Sequence, residues 1–290
     1  MCDERTERDN QAYLQRALSR RDFNKLAAGV AVMATLPAVA GAMDVVSQNV
    51  NVETHDGVAD CFFVHPAAGK HPGVIIWPDI RGLRPAFETM ATRLAESGYA
   101  VLCVNQFYRS TKAPFVKPGE QFSDPDVRAR IMPFYRELNA ETNVSDAKAF
   151  AAFLDSQESV DTSHKMGTMG YCMGGPIIMR TAAAMPERIG AAASFHGGGL
   201  VTDNEDSPHL LIPQMQANLL IAIAENDDER EPFAKYTLEE EFEKHGIEAE
   251  IEVYADSLHG WCPPDSAVYT EAQAEKAWSR LLALFEKSLI

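Results

Sequence analysis

The stretch MGYCMGG at residues 169–175 decides the fold. A strand-like run at 165–170 leads into it, and a helix-like run at 174–185 follows. The spacing G-x-C-x-G is typical of a nucleophile elbow, a sharp strand-to-helix turn with a nucleophile at its centre. Because such a turn strains the backbone of its central residue, here Cys172, neighbours with side chains would clash, and glycines are needed beside it. The N-terminus of the following helix places positive partial charge near the sulfur, which favours the thiolate.

Composition places the chain among ordinary globular proteins. It has 290 residues, of which 46% are hydrophobic and 23% charged, enough for a full hydrophobic core. The formal net charge of −16 argues against nucleic acid or an anionic membrane surface as a partner. No pair among the five cysteines has the spacing of a zinc site, so no metal is expected.

Residues 1–42 are expected to form an export signal that is not part of the fold. SRRDFNK at 19–25 resembles the twin-arginine export motif, and a short alanine-rich apolar run follows at 26–36. That run is too short to span a membrane, so no stable membrane anchor is expected. The segments that end at Ala40 and Ala42 resemble signal-peptidase sites. The mature protein would then be periplasmic; the alternative is a frayed basic helix at the N-terminus.

Apolar runs that alternate with helical patterns predict an α/β fold. Residues 46–66 are typical of a β-hairpin with its turn at 55–57. Further strands are predicted at 73–77, 99–104, 165–170, 191–195, 219–224 and 250–254. Helices are predicted at 85–97, 124–138, 144–154, 174–185, 232–245 and 269–289. This order predicts a mostly parallel sheet with helices on both faces, in a single domain at 43–290.

Side chains that could act as a nucleophile, an acid or a base follow four of the predicted strands. They are Asp79, Cys172, Asp227 and His259. In open α/β sheets, the loops at the carboxyl ends of the strands carry the chemistry. A thiol nucleophile needs a base, and the base needs an orienting carboxylate, roles that Cys172, His259 and Asp227 can fill. The order nucleophile, acid, histidine along the chain is typical of one class of catalytic triad.

Some residues near this set have two interpretations. Asp228 directly follows Asp227 and is an alternative for the acid. His196 precedes three glycines at another strand end, where it either lines a pocket or packs inside the fold. Cys262 lies three residues after His259 and is expected near the site. Two more cysteines, Cys61 and Cys103, sit in apolar strand-like runs and are expected to be buried thiols rather than a disulfide.

Several runs of sequence together resemble the dienelactone hydrolase family, the cysteine-based carboxymethylenebutenolidases of the α/β-hydrolase fold. The resemblance covers nearly all of residues 50–290. It is carried by WPDIRGL at 77–83, FYR at 107–109, GYCMGG at 170–175, ND at 226–227 and LHG at 258–260.

The resemblance implies the same triad and adds further residues to it. The oxyanion hole would consist of the backbone N–H groups of Ile80 and Met173. Asp79 occupies the place of an acidic residue, commonly glutamate, that in the family contacts the resting thiol and takes its proton when substrate binds. Aspartate is one methylene shorter than the glutamate that is common at this place in the family.

The resemblance also implies how the substrate is held. Family members that act on dienelactone hold its carboxylate with arginines, and Arg109 matches one of them. The second arginine would lie shortly after His259, where this chain has Trp261 and no arginine. Arg81 could compensate, because a guanidinium can bind a carboxylate through two hydrogen bonds. Trp261 is expected to form an aromatic wall of the site.

Together these features predict a hydrolase for an ester or lactone bond that works through an acyl-enzyme on Cys172. No metal or organic cofactor is expected, and the partner is a small-molecule substrate. A general carboxylesterase or thioesterase would use the same residues. The remaining alternatives are a non-catalytic member of the fold and a thiol-sensing protein.

Overall fold

One eight-stranded sheet organises the molecule. The computed structural model describes residues 6, 8–12, 33–117 and 119–290. The twin-arginine motif at 19–25 and most of the apolar run after it lie outside the described residues. No described helix is both long and apolar enough to cross a membrane.

The strands confirm the predicted mostly parallel sheet. They are β1 Val45–Thr54, β2 Gly57–Pro66, β3 Gly73–Trp77, β4 Ala100–Cys103, β5 Met166–Tyr171, β6 Ile189–Phe195, β7 Asn218–Ala224 and β8 Ala249–Tyr254. Their order in the sheet is β1-β2-β4-β3-β5-β6-β7-β8. The hairpin β1–β2 is antiparallel and joins β4 antiparallel, whereas every other pair is parallel. The carboxyl ends of β3, β5, β6, β7 and β8 therefore meet at one edge.

The helices of the described chain follow the predicted pattern. From Pro85 onward they are α1 Pro85–Glu96, α2 Pro125–Arg136, α3 Ala140–Asp155, α4 Gly174–Ala184, α5 Glu225–Arg230, α6 Ala234–Lys244 and α7 Glu271–Leu289. The short α5 and a 3₁₀ helix at Pro208–Gln214 were not predicted, because segments this short carry no clear hydrophobic period. α3 begins four residues before its predicted start, at a capping box in which Asn139 and Thr142 exchange hydrogen bonds.

Two apolar clusters cover the two faces of the sheet. Buried residues of α1 and α7, such as Phe87 and Phe285, pack on one face. Buried residues of α3, α4 and α6, such as Phe150, Ile178 and Phe242, pack on the other. This arrangement confirms the prediction of helices on both faces. Because β3 and β5 are buried along their whole length, the loops at their ends have rigid support.

Candidate active site

The turn between β5 and α4 has the geometry of a nucleophile elbow. Cys172 adopts a φ of 55°, in the left-handed region that side chains other than glycine rarely adopt. A Cβ added at Gly170 would lie 2.4 Å from the carbonyl oxygen of Gly174. A Cβ added at Gly174 would lie 2.8 Å from the carbonyl oxygen of Trp77 on β3. Glycine is therefore required on both sides of Cys172 by close backbone contacts.

The Cys172 side chain lines a cavity and meets His259. Cys172 is only 2% exposed, and its backbone N–H donates to the carbonyl oxygen of Phe195 at 3.0 Å. Its thiol is within hydrogen-bond reach of His259. Because α4 begins two residues later, at Gly174, the positive end of the helix dipole lies beside the sulfur. This environment favours the thiolate.

His259 is held by residues of α5, the short helix directly after β7. Its Nδ1 lies 2.7 Å from Oδ2 of Asp227, and its backbone N–H donates to Oδ1 of Asn226 at 2.9 Å. The neighbouring Asp228 points elsewhere and accepts a hydrogen bond from Nζ of Lys235 at 2.7 Å. Of the two candidate acids, Asp227 is thus the one in contact with the imidazole.

Burial and charge shift the pKa values of His259 and Asp227 in opposite directions. Burial alone lowers the pKa of His259, but the Asp227 carboxylate and the Cys172 sulfur outweigh it and raise that pKa above its ordinary value. Burial raises the pKa of Asp227, and the charge of His259 and its hydrogen bond lower it overall. The geometry therefore favours an imidazolium between a carboxylate and a sulfur, which is the charge state that keeps a cysteine nucleophilic.

A buried network of ion pairs borders the cavity at Asp79 and Arg81. Both carboxylate oxygens of Asp79 accept hydrogen bonds from Arg84, at 2.7 and 2.9 Å, and Oδ1 also accepts from the backbone N–H of Arg81. Burial raises the pKa of Asp79, but Arg84 and Arg81 lower it more, to about 2. The predicted contact of this carboxylate with the thiol of Cys172 stays a prediction.

Arg84 and Asp265 were missed in the sequence. Arg84 Nε donates to Oδ2 of Asp265 at 2.7 Å, and Arg81 Nη2 donates to Oδ1 at 3.0 Å. Arg84 follows the loop after β3. In the sequence, only its position three residues after Arg81 indicates a role at the site, and that indication is weak. Asp265 comes from a loop far along the chain, and no local pattern could have linked the two.

A cavity of about 190 Å³ joins these groups. Its walls include the predicted residues Cys172, His259, Asp79, Ile80 and Arg81, together with Gln121, Phe122, His196 and Val268. Met173 precedes α4 directly, so its N–H is one of the donors that a helix N-terminus leaves without an intrahelical acceptor. Its neighbour Cys172 and Ile80 both line the cavity, and the oxyanion hole formed by Ile80 and Met173 stays a prediction.

The structure does not bring Arg109 to this cavity, which corrects the expectation that it holds substrate. Its guanidinium donates to both carboxylate oxygens of Asp146, each at 2.7 Å, and to Oδ2 of Asp56. Asp146 is buried and needs a compensating charge, so this arginine is engaged in structural ion pairs.

Trp261 also lies away from the cavity, which corrects its predicted role as a wall of the site. It is fully buried and stacks on Tyr254 with ring centroids 5.3 Å apart. It also packs against His196, with ring centroids 5.2 Å apart. His196, for which the sequence left two interpretations open, does line the cavity.

Residues of the predicted export signal contact the site. Asn10 donates from Nδ2 to the backbone oxygen of His259 at 3.1 Å, and both Asn10 and Gln11 line the cavity. Arg230 on α5 holds this segment through Thr6 at 2.8 Å and Asp9 at 3.2 Å. Part of the cavity wall thus comes from the first twelve residues of the chain.

The remaining described cysteines do not take part in the site. Cys61, Cys103 and Cys262 are buried free thiols, which confirms that Cys61 and Cys103 are not bridged. Burial raises the pKa of each, so they are protonated and unreactive at neutral pH. Within the described residues, no group of three or more histidine, cysteine or acidic side chains could hold a metal ion.

Fold and site together define the class of protein. A mostly parallel sheet, with a strained residue on the elbow after a central strand and polar side chains at the neighbouring strand ends, is the α/β-hydrolase arrangement. The sequence profile of the dienelactone hydrolase family matches residues 59–289. The chain belongs to the dienelactone hydrolase family.

Individual relatives agree with this assignment. A carboxymethylenebutenolidase of Pseudomonas sp. (strain P51) is 31% identical over 120 residues, an alignment that covers 41% of this chain and 47% of that protein. A carboxymethylenebutenolidase of Pseudomonas putida is 23% identical over 172 residues, 58% of this chain and 69% of that protein.

Solved structures share the fold. A dienelactone hydrolase-like promiscuous phosphotriesterase from metagenomic libraries superposes with a TM-score of 0.68 and 20% identity, over 86% of this chain and 100% of that one. A dienelactone hydrolase from Anabaena variabilis superposes with a TM-score of 0.61 and 16% identity, over 85% and 99% of the two chains.

The contact between Asp227 and His259 makes a prediction about the reactivity of Cys172. In Asp227→Asn the carboxylate charge that raises the pKa of His259 is lost, so the imidazolium that supports the thiolate is lost at lower pH. We expect alkylation of Cys172 by iodoacetamide at pH 6 to slow about tenfold, and the midpoint of its pH profile to move upward by about one unit.

Asp228→Asn is the matched control, because Asp228 carries the same charge but binds Lys235. Rates would be followed by intact mass, with Cys172→Ala as the reference that lacks the Cys172 adduct. Equal slowing in both aspartate variants would contradict the assignment of Asp227 to His259.

Proposed function

We propose that this protein hydrolyses an ester or lactone bond by covalent catalysis at Cys172. The observation that carries the proposal is the thiol on a strained elbow, in reach of a histidine whose Nδ1 lies 2.7 Å from Asp227. Membership of the dienelactone hydrolase family supports the same class of reaction.

Acylation begins at the thiolate of Cys172. The sulfur attacks the substrate carbonyl carbon, a C–S bond forms, and the carbonyl electron pair moves to oxygen. The N–H groups of Ile80 and Met173 stabilise this oxyanion, and a donor of this kind typically contributes about 3 kcal/mol. When the intermediate collapses, the C–O bond breaks and the leaving oxygen takes the proton of the His259 imidazolium. The product is a thioester on Cys172.

Deacylation uses the same groups. Neutral His259 accepts a proton from a water molecule as the water oxygen attacks the thioester carbonyl. Asp227 stabilises the imidazolium that forms and keeps Nδ1 protonated and facing the carboxylate. The C–S bond then breaks, the acid leaves, and the thiolate–imidazolium pair is restored. With a lactone, the two halves of the product stay joined as one hydroxy acid.

Arg81 is the cation that we propose for a substrate carboxylate. It lines the cavity, and its one side-chain hydrogen bond within the described residues goes to Asp265. Its guanidinium thus has further N–H groups for a ligand. Arg109 makes four such bonds to aspartates away from the cavity. With one arginine in the cavity instead of two, a general carboxylesterase or thioesterase is the second candidate.

Loss of the nucleophile tests the proposed reaction. In the full chain, Cys172→Ala is expected to lower kcat/KM for p-nitrophenyl acetate by at least about a thousandfold, because no acyl-enzyme can form. Cys262→Ala removes another buried thiol outside the cavity and is expected to stay within about twofold of the parent. Retained turnover in Cys172→Ala would refute covalent catalysis at this residue.

Exchange of the arginines tests the substrate class. Arg81→Met is expected to lower kcat/KM for a dienelactone about tenfold to a hundredfold, the range for loss of a hydrogen bond to a charged group. Hydrolysis of the neutral p-nitrophenyl acetate should change little. Arg280→Met is the matched control, because Arg280 pairs with Glu250 at the surface and does not line the cavity, so it is expected to change neither rate. A parent protein that turns over the ester but not the lactone would favour the general carboxylesterase.

We also propose that the protein is exported by the twin-arginine route and works in the periplasm. The support is the motif at 19–25 and the two cleavage-site sequences that end at Ala40 and Ala42. Cleavage there would remove Asn10 and Gln11 from the cavity wall. Export would thus be coupled to a wider opening of the site.

The pair Arg20 and Arg21 is the feature to test. The double variant Arg20→Lys, Arg21→Lys is expected to keep the full-length chain in the cytoplasmic fraction, because the export machinery reads both arginines. Arg16→Lys is the matched control, and it should leave a shortened chain in the periplasm. Export of the double variant at the parent level would contradict the proposed route.

A further inference from the structure

His196 is a histidine in a position that the backbone does not favour. It directly follows β6 and has a φ of 43°. Histidine enters the left-handed region more often than most residues, yet such positions are uncommon. Its backbone N–H donates to the carbonyl oxygen of Ala222 on β7 at 2.8 Å. The neighbouring Gly197 packs against the elbow, since a Cβ there would lie 3.0 Å from the Cα of Gly175. The backbone on both sides of the side chain is therefore fixed.

The imidazole of His196 is also fixed, and it faces the catalytic groups. It is 1% exposed and lines the same cavity as Cys172 and His259. Its ring meets the His259 ring edge-on, with centroids 5.0 Å apart and an interplanar angle of 66°. Trp261 and Tyr171 contact its other sides, at 5.2 and 5.9 Å. The ring cannot turn away from the cavity without disturbing this packing.

Neither ring nitrogen of His196 has a hydrogen-bond partner on another residue in the part of the chain that the structure describes. Buried polar side chains nearly always have a hydrogen-bond partner, so this histidine is an exception that packing alone does not explain. Burial, together with the charge of His259, lowers its pKa to about 3. The ring is thus neutral at physiological pH and offers one N–H donor and one acceptor.

We propose that His196 is a substrate-contacting residue of the hydrolytic site, which donates a neutral hydrogen bond to a polar atom in the acyl portion of the substrate. The inference rests on the proposed function and adds a substrate preference to it. Acyl groups with an oxygen near the scissile carbonyl should be favoured over hydrocarbon groups of the same shape. A hydrocarbon acyl group would leave the buried N–H unpaired, and this cost makes such sites selective.

Two esters of nearly equal shape test this preference. p-Nitrophenyl methoxyacetate and p-nitrophenyl butyrate differ by an ether oxygen in place of one methylene, and only the first has a hydrogen-bond acceptor in its acyl chain beyond the carbonyl. The readout is the ratio of kcat/KM for the two esters in the full chain. Because the leaving group is shared, the ratio cancels general effects of a variant on folding and on the triad.

His196→Phe keeps an aromatic ring and removes both nitrogens. We expect it to lower the methoxyacetate-to-butyrate ratio about fivefold, the range for loss of one neutral hydrogen bond. His196→Asn is the second variant, because asparagine tolerates the left-handed backbone while its shorter side chain cannot reach as far. It is expected to lower the ratio at least about threefold. His65→Phe, on β2 and outside the cavity, is the control and should leave the ratio unchanged.

The outcomes separate this inference from the function on which it rests. An active parent whose ratio stays within twofold in both His196 variants overturns the role of His196 and leaves the hydrolase assignment intact. Equal losses on both esters do the same, because they indicate packing. A parent that neither forms an acyl-enzyme nor turns over either ester overturns both proposals together.

Discussion

The site depends on a close approach of backbones at the elbow between β5 and α4. Gly174 lies so near the carbonyl oxygen of Trp77 that a single added carbon would overlap it, and Gly175 is equally close to Gly197. These contacts press the start of α4 against the ends of β3 and β6. Cys172 is thereby forced into its left-handed conformation and pointed into the cavity. A larger residue at either glycine would separate the thiol from the loops that serve it.

Charge balance at the same edge of the sheet explains why the loops hold their shape. Arg84 lies between the carboxylates of Asp79 and Asp265 and joins the loop after β3 to the loop after His259. On the other side, Asp227 lies between His259 and Arg230, whose Nη1 is 3.5 Å from its Oδ1. Such buried charges are tolerated only in pairs, because removal of one partner leaves the other uncompensated in a medium that screens poorly. The two networks therefore fix the cavity walls before any substrate arrives.

Much of this arrangement could be predicted from local patterns. Strand β3 is a continuous apolar run, and β1–β2 is a hairpin with a clear turn, so both can be recognised in the sequence. The elbow can be recognised in the sequence by its glycines, which close backbone contacts require. The sequence predicted that Asp227 and His259 lie close together, because parallel strands end at one edge of the sheet. The structure shows the two side chains in contact. The sequence could not decide whether Asp227 or Asp228 is the acid, because the two adjacent aspartates differ only in the direction in which their side chains point.

The sequence alone determined the alternation of strands and helices and the elbow, because each depends on neighbours in the chain. It also named Cys172, Asp227 and His259, because each follows a predicted strand. Tertiary structure alone decided which charges pair. It placed Arg109 on Asp146 rather than in the cavity, and it put Arg84 on Asp79. It also buried His196 beside His259 with no protein partner among the described residues. The physical reason is that an ion pair or an unpaired donor is defined by groups distant in sequence, and their distances exist only after the sheet has formed.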